Sequence, residues 1–203
     1  MWKGFYSLQK TGPIKKKLHT NVGVHERVAK KLHFLIDQYF DYLDTDYSLS
    51  VEGKISESKL MENLSRKFNY PKKSLKKFYI DSYKKMYGKN RFLIKFAKKL
   101  KNKGFRIAIL SDQWHLSNPA LIPKKFHKIF SPVLVSCSVG VRKPDPRIYK
   151  ILIKKLKVRP EEILFIDDRP WNLDPARKLR IKTLAFTGNE NFEKQIKKFG
   201  LKI

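Results

Sequence analysis

Four short apolar runs alternate with helical patterns from residue 106 onward, and this alternation constrains the fold more than any other feature. The runs cover residues 106–110, 133–136, 163–166 and 183–186, and the helical patterns between and after them cover residues 144–156, 171–179 and 191–199. Strands separated by helices at this spacing are typical of a parallel sheet flanked by helices. We therefore predict an α/β fold whose ligand site lies at the carboxyl ends of the strands.

The first half of the chain has helical rather than strand-like patterns. Apolar residues over positions 26–43 fall at helical spacing and predict a first helix. Ser56 is a suitable cap for a second helix, and Pro71 suits the first turn of a third. Asn90 is a suitable cap for a fourth helix that ends near Gly104.

The first apolar run ends in Ser111-Asp112-Gln113. A hydroxyl followed by backbone N–H groups in a turn is suited to hold a phosphoryl oxygen. Ser and Asp after a strand are also common as ordinary turn residues. This motif alone therefore leaves both interpretations open.

The second run leads to Lys143, which stands between Gly140 and the prolines Pro144 and Pro146. The fixed φ of Pro144 suits the first turn of a helix, which places the preceding lysine near the strand ends. An ammonium there could neutralise both a carboxylate nucleophile and a transferring phosphate. This constrained setting distinguishes Lys143 from the other lysines of the chain.

The third run ends in the adjacent carboxylates of Asp167 and Asp168, with Asn172 just beyond. Two such groups at the end of an apolar strand repel each other and lose solvation unless a positive charge lies beside them. Mg²⁺ prefers oxygen ligands and takes one or two carboxylates together with waters and substrate phosphate. The alternative is that one aspartate caps a helix while the other is solvated.

Together, residues 107–112, 139–149 and 160–169, with Asn172 and Ala176, resemble the second, third and fourth motifs of the haloacid dehalogenase superfamily, in its branch with a helical cap. The resemblance covers residues 53–187. It implies a Rossmann-like parallel sheet flanked by helices, with an inserted α-helical cap. It also implies Mg²⁺-dependent hydrolysis of phosphate esters through an aspartyl-phosphate, whereas relatives without the metal displace halide.

The resemblance also implies roles for individual residues. They are catalytic roles for Ser111 and Lys143, a Mg²⁺ site at Asp168, Asp167 and Asn172, and substrate binding at Asp112 and Gln113. Trp114, Trp171 and His115 lie near the predicted site and are candidates for substrate contacts or for packing. The implied organisation is a divergent N-terminal segment (1–20) where the first core strand is expected, a helical cap (21–88) and an α/β core (89–203).

The nucleophile is not visible in the sequence. Residues 1–20 contain no acid, and Gln9 falls where the family's nucleophilic aspartate would stand. Asp44-Thr45-Asp46 has the spacing of two motif carboxylates, but it follows a helical stripe, and we interpret it as the solvated end of the first cap helix. We expect residues 5–8 to occupy the place of the first strand imperfectly; a regular strand there, with a carboxylate facing Asp168, would contradict this.

Three explanations for the missing nucleophile are open. The start or reading frame of the sequence omits the true first strand, which we favour; the chain is a noncatalytic relative; or an unrecognised residue attacks. The first functional hypothesis is accordingly a Mg²⁺-dependent phosphatase of a small phosphorylated metabolite, by ancestry. The second is a noncatalytic protein that binds anions, such as inorganic phosphate, or nucleic acid.

The amino-acid composition limits the kinds of binding partner to expect. The net charge is +28, from 46 basic and 18 acidic residues, so polyanion binding has to be considered. Lysines are scattered through the chain and far outnumber arginines, which favours a compositional bias over a nucleic-acid site. The single cysteine, Cys137, and the lack of a leader pattern predict a cytoplasmic protein. No apolar run approaches the roughly 20 residues that span a bilayer, so no membrane partner is expected.

Overall fold

The computed structural model describes residues 5–6 and 22–201. Its strands are β1 (Phe5–Tyr6), β2 (Ile109–Ser111), β3 (Val133–Val135), β4 (Leu164–Asp167) and β5 (Lys182–Ala185). The strand pairs within the described residues are parallel: β1 with β4, β4 with β5, and β2 with β3. Hydrogen bonds join β1, β4 and β5 into a three-stranded sheet, with β4 in the centre, and β2 and β3 into a two-stranded one. Because β1 also lies against β2, the strands follow one another in space as β3, β2, β1, β4, β5. The predicted Rossmann-like α/β fold is confirmed.

Helices surround this sheet and form the cap. In chain order they are α1 (Val22–Lys31), α2 (Ile36–Val51), α3 (Glu57–Lys67), α4 (Lys72–Met86), α5 (Arg91–Asn102), α6 (Asn118–Leu121), α7 (Ser136–Val139), α8 (Pro146–Leu156), α9 (Pro170–Lys178) and α10 (Asn189–Lys197). Two short 3₁₀ helices lie at Lys124–Lys128 and Pro160–Glu162. No helix in the described part of the chain has the length and apolar character needed to cross a bilayer.

The prediction of one helix over residues 26–43 is wrong. The chain forms α1 and α2 there, separated by a turn in which His33 has a φ of 60°. This left-handed conformation cannot continue an α-helix of L-residues. The apolar spacing continues across the break because both helices face the same hydrophobic cluster, in which Val28 of α1 and Leu43 of α2 are buried.

Two predicted helix caps are confirmed. The Ser56 Oγ accepts a hydrogen bond from the Lys59 amide at 3.2 Å, at the start of α3. The Asn90 Oδ1 accepts from the Leu93 amide at 3.1 Å, at the start of α5. Each oxygen satisfies an amide that lacks a partner within its helix, which is why such residues mark helix starts.

Two local predictions are corrected by the structure. Pro144 lies in a turn ahead of α8, and Pro146 is the proline in the first turn of that helix. Asp46 is not solvated but 3% exposed on α2. Its carboxylate is held by Lys67 Nζ at 2.8 Å and Asn63 Nδ2 at 2.7 Å, because a buried charge requires such partners.

The cap has a hydrophobic cluster of its own, completed by a segment of the core. Side chains of α1 to α4 pack with Trp114, Leu116 and Ala120, which follow β2. Trp114 is 1% exposed, and its indole N–H donates to the Tyr83 hydroxyl at 2.9 Å. The chain that leaves the predicted site residues of β2 is therefore anchored inside the cap.

The described part of the N-terminal segment is the two-residue strand β1, paired with β4 at Phe5 opposite Phe165 and Tyr6 opposite Ile166. It occupies the position between β2 and β4 where the first core strand was expected. Gln9, which aligns with the nucleophile of the family, lies outside the described residues. The domain boundaries inferred from the sequence stay a prediction.

Candidate functional site

A pocket of about 100 Å³ lies at the carboxyl ends of β2 and β4, where these strands flank β1. Its polar wall at the strand ends is formed by Ser111, Asp112, Gln113, Arg142, Asp168 and Arg169, and Lys89 and Asn90 also line the pocket. Side chains that follow different parallel strands meet here because those strands all end at the same edge of the sheet. Sequence positions more than fifty residues apart thus line one cavity.

Ser111 ends β2 with its side chain 2% exposed. Its Oγ accepts a hydrogen bond from Gln113 Nε2 at 3.0 Å, so its own proton can be donated towards the pocket. Gln113 is itself fixed at two points. Its side-chain Oε1 accepts from Ser117 Oγ at 2.7 Å, and its backbone N–H donates to Ser136 Oγ at 3.0 Å. The serine hydroxyl is therefore oriented by a buried chain of hydrogen bonds.

Lys143 lies beneath the polar wall and is 2% exposed. Its Nζ is 2.6 Å from Asp167 Oδ2 and 3.4 Å from the carbonyl oxygen of Leu110. Its backbone amide donates to Asp112 Oδ1 at 3.0 Å. The ammonium and the loop that carries it are thus tied to the ends of both β2 and β4.

Asp167 uses both carboxylate oxygens within the protein. Besides Lys143 on Oδ2, its Oδ1 accepts from the Arg169 amide at 2.9 Å and from Asn172 Nδ2 at 3.0 Å. Asn172 is 2% exposed, and its carbonyl oxygen accepts from the Tyr149 hydroxyl at 2.6 Å. Asp167 and Asn172 therefore form a buried network that orients Lys143 and the start of α9.

Asp168 is half-buried and lines the pocket. Burial raises the pKa of its carboxyl group, and the neighbouring Asp167 charge raises it further, against the opposing effects of Arg169 and Lys143. It forms no salt bridge with any residue in the described ranges. A carboxylate in this setting gains from a cation placed in the pocket.

The donor set fits Mg²⁺ in part of its coordination sphere. Asp168 offers a carboxylate to the pocket, and Mg²⁺ normally takes one or two carboxylates and keeps several waters. Among residues 5–6 and 22–201, no cluster of three or more His, Cys, Asp or Glu side chains could enclose a metal. The remaining ligands would then be water and phosphate oxygens, which is the usual arrangement for this ion at a phosphoryl site.

All seven predicted site residues lie at this edge of the sheet. The three neighbouring aromatic residues lie in three different environments. Trp114 is buried in the cap cluster, and His115 Nδ1 is 2.7 Å from Ser50 Oγ. Trp171 is 58% exposed on α9, with the Arg169 guanidinium 5.8 Å from its ring centroid. Of the two roles considered for Trp114, the structure thus shows packing. His115 connects the core to α2 through its contact with Ser50.

Several lining residues were not identified from the sequence. Arg142 and Arg169 each adjoin a predicted site residue, and that adjacency is the signal that could have identified them. The cap and the segment after β2 supply Tyr47, Val51, Tyr87, Leu121, Ile122 and Phe126. These side chains are of the same types as core residues, so no sequence pattern separates them.

Comparison with known proteins agrees with this geometry. Residues 89–180 match a family model described as haloacid dehalogenase-like hydrolase. The chain is 32% identical over 111 residues to a bifunctional epoxide hydrolase 2 from Sus scrofa, covering 52% of this chain and 20% of that protein. It is also 32% identical over 94 residues to an (S)-2-haloacid dehalogenase 4A from Burkholderia cepacia, covering 46% and 41%. The chain thus spans less than half the length of these curated relatives.

The fold also matches a solved structure over nearly its whole length. A haloacid dehalogenase family enzyme from Bacteroides thetaiotaomicron superimposes with a TM-score of 0.75 at 16% identity, covering 97% of this chain and 98% of that one. The same enzyme was solved in complex with magnesium and inorganic phosphate, and that structure has a TM-score of 0.74 at 18% identity, covering 96% and 99%. At this level of identity the likeness shows the fold.

Proposed function

The chain belongs to the haloacid dehalogenase-like superfamily, and on that premise we propose that its pocket is the phosphoryl site of a Mg²⁺-dependent phosphatase that acts on a small phosphorylated metabolite. The observation that carries this proposal is the convergence of Ser111, Lys143 and Asp168 at the ends of β2 and β4. A hydroxyl donor, a cation and a carboxylate at one edge of a sheet suit a phosphoryl group with its metal.

The chain's own groups divide the work of binding. The Ser111 hydroxyl donates to a phosphoryl oxygen, and the Lys143 ammonium stabilises negative charge from beneath the pocket. Asp168 holds Mg²⁺, which when bound neutralises phosphate charge and polarises the phosphorus–oxygen bonds. Asp167 and Asn172 position Lys143 and α9 through the buried network around the Asp167 carboxylate.

Turnover by the covalent route also needs a carboxylate that attacks in line. In the described part of the chain, the carboxylates that line the pocket are Asp112 and Asp168. The Asp112 carboxylate is tied to the Lys143 amide, and Asp168 is assigned to the metal. Binding of the phosphoryl group is therefore the part of the proposal that these residues support most directly.

The second candidate is a noncatalytic relative that binds phosphate or another anion, including nucleic acid. It is favoured by the sequence ahead of Glu26, which contains no acid, and by the net charge of +28. Metal-free dehalogenation is a third chemistry within the family, but the Asp168 carboxylate, which lines the pocket, favours a metal and hence phosphate.

The test is a phosphatase assay of the purified chain with a generic aryl phosphate and Mg²⁺, beside calorimetric binding of inorganic phosphate. Asp168→Asn should abolish the Mg²⁺-dependent part of either signal. Asp174→Asn is the matched control, because Asp174 is an exposed aspartate on α9, and this variant should leave the signal unchanged. Turnover that is lost in Asp168→Asn excludes the noncatalytic candidate. Phosphate binding without turnover supports that candidate, and RNA binding with a steep salt dependence would extend it to nucleic acid.

Failure of phosphate to bind with or without Mg²⁺ would overturn the proposal. Halide release from a 2-haloacid without metal would assign the pocket to dehalogenation instead.

A further inference from the structure

The pocket has a second wall that the phosphoryl site does not use. Val51 at the end of α2, Ile94 on α5, and Leu121, Ile122 and Phe126 after β2 all line it. Val51, Ile122 and Phe126 are buried, whereas Ile94 and Leu121 are half-buried. None of the five side chains has a polar atom, so this wall cannot form side-chain hydrogen bonds with a ligand.

We propose that the phosphorylated ligand of this pocket carries an unsubstituted hydrocarbon group that packs against the apolar wall. This inference rests on the proposed function, because the wall faces a leaving group only if the phosphoryl group lies at Ser111. A hydroxyl group placed directly against these five side chains would lose water without gaining a partner from them, whereas a hydrocarbon group loses nothing.

Two tyrosines also line the pocket, Tyr47 of α2 and Tyr87 just after α4. Burial raises the pKa of Tyr87 to about 12, so its phenol is neutral at physiological pH and adds no charge to the pocket. The polar wall holds Arg142 and Arg169 beside Asp112 and Asp168, and Lys89 adds a further cation to the lining. The pocket is thus amphiphilic, and a ligand with an anionic head and an apolar tail matches it.

The experiment measures calorimetric affinities of the purified full chain for inorganic phosphate and for methyl-, ethyl-, propyl- and butylphosphonate, at fixed ionic strength with Mg²⁺. The carbon–phosphorus bond prevents hydrolysis by a phosphatase, so binding is read without turnover. Each methylene that enters the apolar space should tighten binding by about fourfold until the space is filled. Replacement of the terminal methyl of butylphosphonate by hydroxyl, as in 3-hydroxypropylphosphonate, should weaken binding.

A substitution in the apolar wall tests whether the gain in affinity arises there. Ile94→Thr keeps a β-branched shape but places a hydroxyl in the wall, and it should reduce the gain per methylene while leaving the affinity for inorganic phosphate unchanged. Ile153→Thr is the matched control, because Ile153 is also a half-buried isoleucine in a helix but packs in another cluster, away from the pocket. Circular dichroism of both variants checks that they fold.

The outcomes separate the two proposals. If inorganic phosphate binds and the alkyl series shows no gain, or if Ile94→Thr leaves the gain unchanged, the inference fails and the phosphoryl site stands. If neither phosphate nor any phosphonate binds, both fail. If the affinity rises along the series and falls back in Ile94→Thr alone, both are supported.

Discussion

Among the described residues, the α/β core and the cap each contain a buried polar network, and the two differ in charge. The core network joins Lys143 to Asp167 at 2.6 Å, with both side chains at most 2% exposed. The cap network joins His25 Nδ1 to the Tyr39 hydroxyl at 2.8 Å, and that hydroxyl to Tyr79 at 2.5 Å. The first is an ion pair directly beneath a pocket, and the second consists of groups that burial keeps uncharged.

The difference in charge indicates a different role for each network. Burial of an ion pair costs desolvation free energy that apolar side chains would not incur, so such a pair is weak evidence of a purely stabilising role. In the cap, burial lowers the pKa of His25 to about 4 and raises those of the surrounding tyrosines, so no charge has to be desolvated. The core network thus supplies charge to a site, and the cap network directs the packing of aromatic rings.

The largest expected effect comes from breaking the core ion pair. Lys143→Met leaves the Asp167 charge buried without a cation, and removal of one partner of such a pair costs about 3–5 kcal/mol of the free energy of unfolding. Urea denaturation of the variant measures this loss. Lys143→Met combined with Asp167→Asn keeps an oxygen acceptor for Asn172 but removes the charge, and it should recover most of the stability; an equally unstable double variant would contradict the comparison.

The second effect is a pH dependence in the cap. The folded-state pKa of His25 is about 4 against 6.5 in the unfolded chain, so its contribution to stability is fully present above pH 6.5 and is lost as the pH falls towards 4. The loss is about 1.4 kcal/mol per pH unit, or about 3 kcal/mol over this window. Denaturation at several pH values should show a shallower dependence for His25→Gln than for the unsubstituted chain. Parallel curves would show that His25 is not held neutral.

The smallest effect concerns a single hydroxyl of the cap network. Tyr39→Phe leaves His25 Nδ1 and the Tyr79 hydroxyl without their shared partner, which should cost about 1–2 kcal/mol of the free energy of unfolding. Tyr42→Phe on the same helix is the control, because Tyr42 is 44% exposed and its change should stay within about 0.5 kcal/mol. Equal losses in the two variants would mean that the buried hydroxyl contributes nothing specific.

The positions of the site residues were predictable because their signal is local. Ser111, Lys143 and Asp168 are polar groups directly after apolar runs or in a proline-rich turn, and parallel strands bring such positions to one edge. The helix caps at Ser56 and Asn90 were equally readable, since a cap acts within three residues. The break at His33 was not readable, because the apolar spacing of α1 and α2 continues across it.

The sequence by itself determined the α/β class and the loops that carry the polar site residues, because periodicity and strand-end polarity are properties of neighbouring residues. Only the tertiary structure decided that Lys143 pairs with Asp167, 24 residues away, which leaves Asp168 to face the pocket. It also decided that Val51 and Ile94 line the same pocket as Ser111. Hydrophobic side chains carry the same pattern whether they fill a core or line a cavity, and packing alone separates the two.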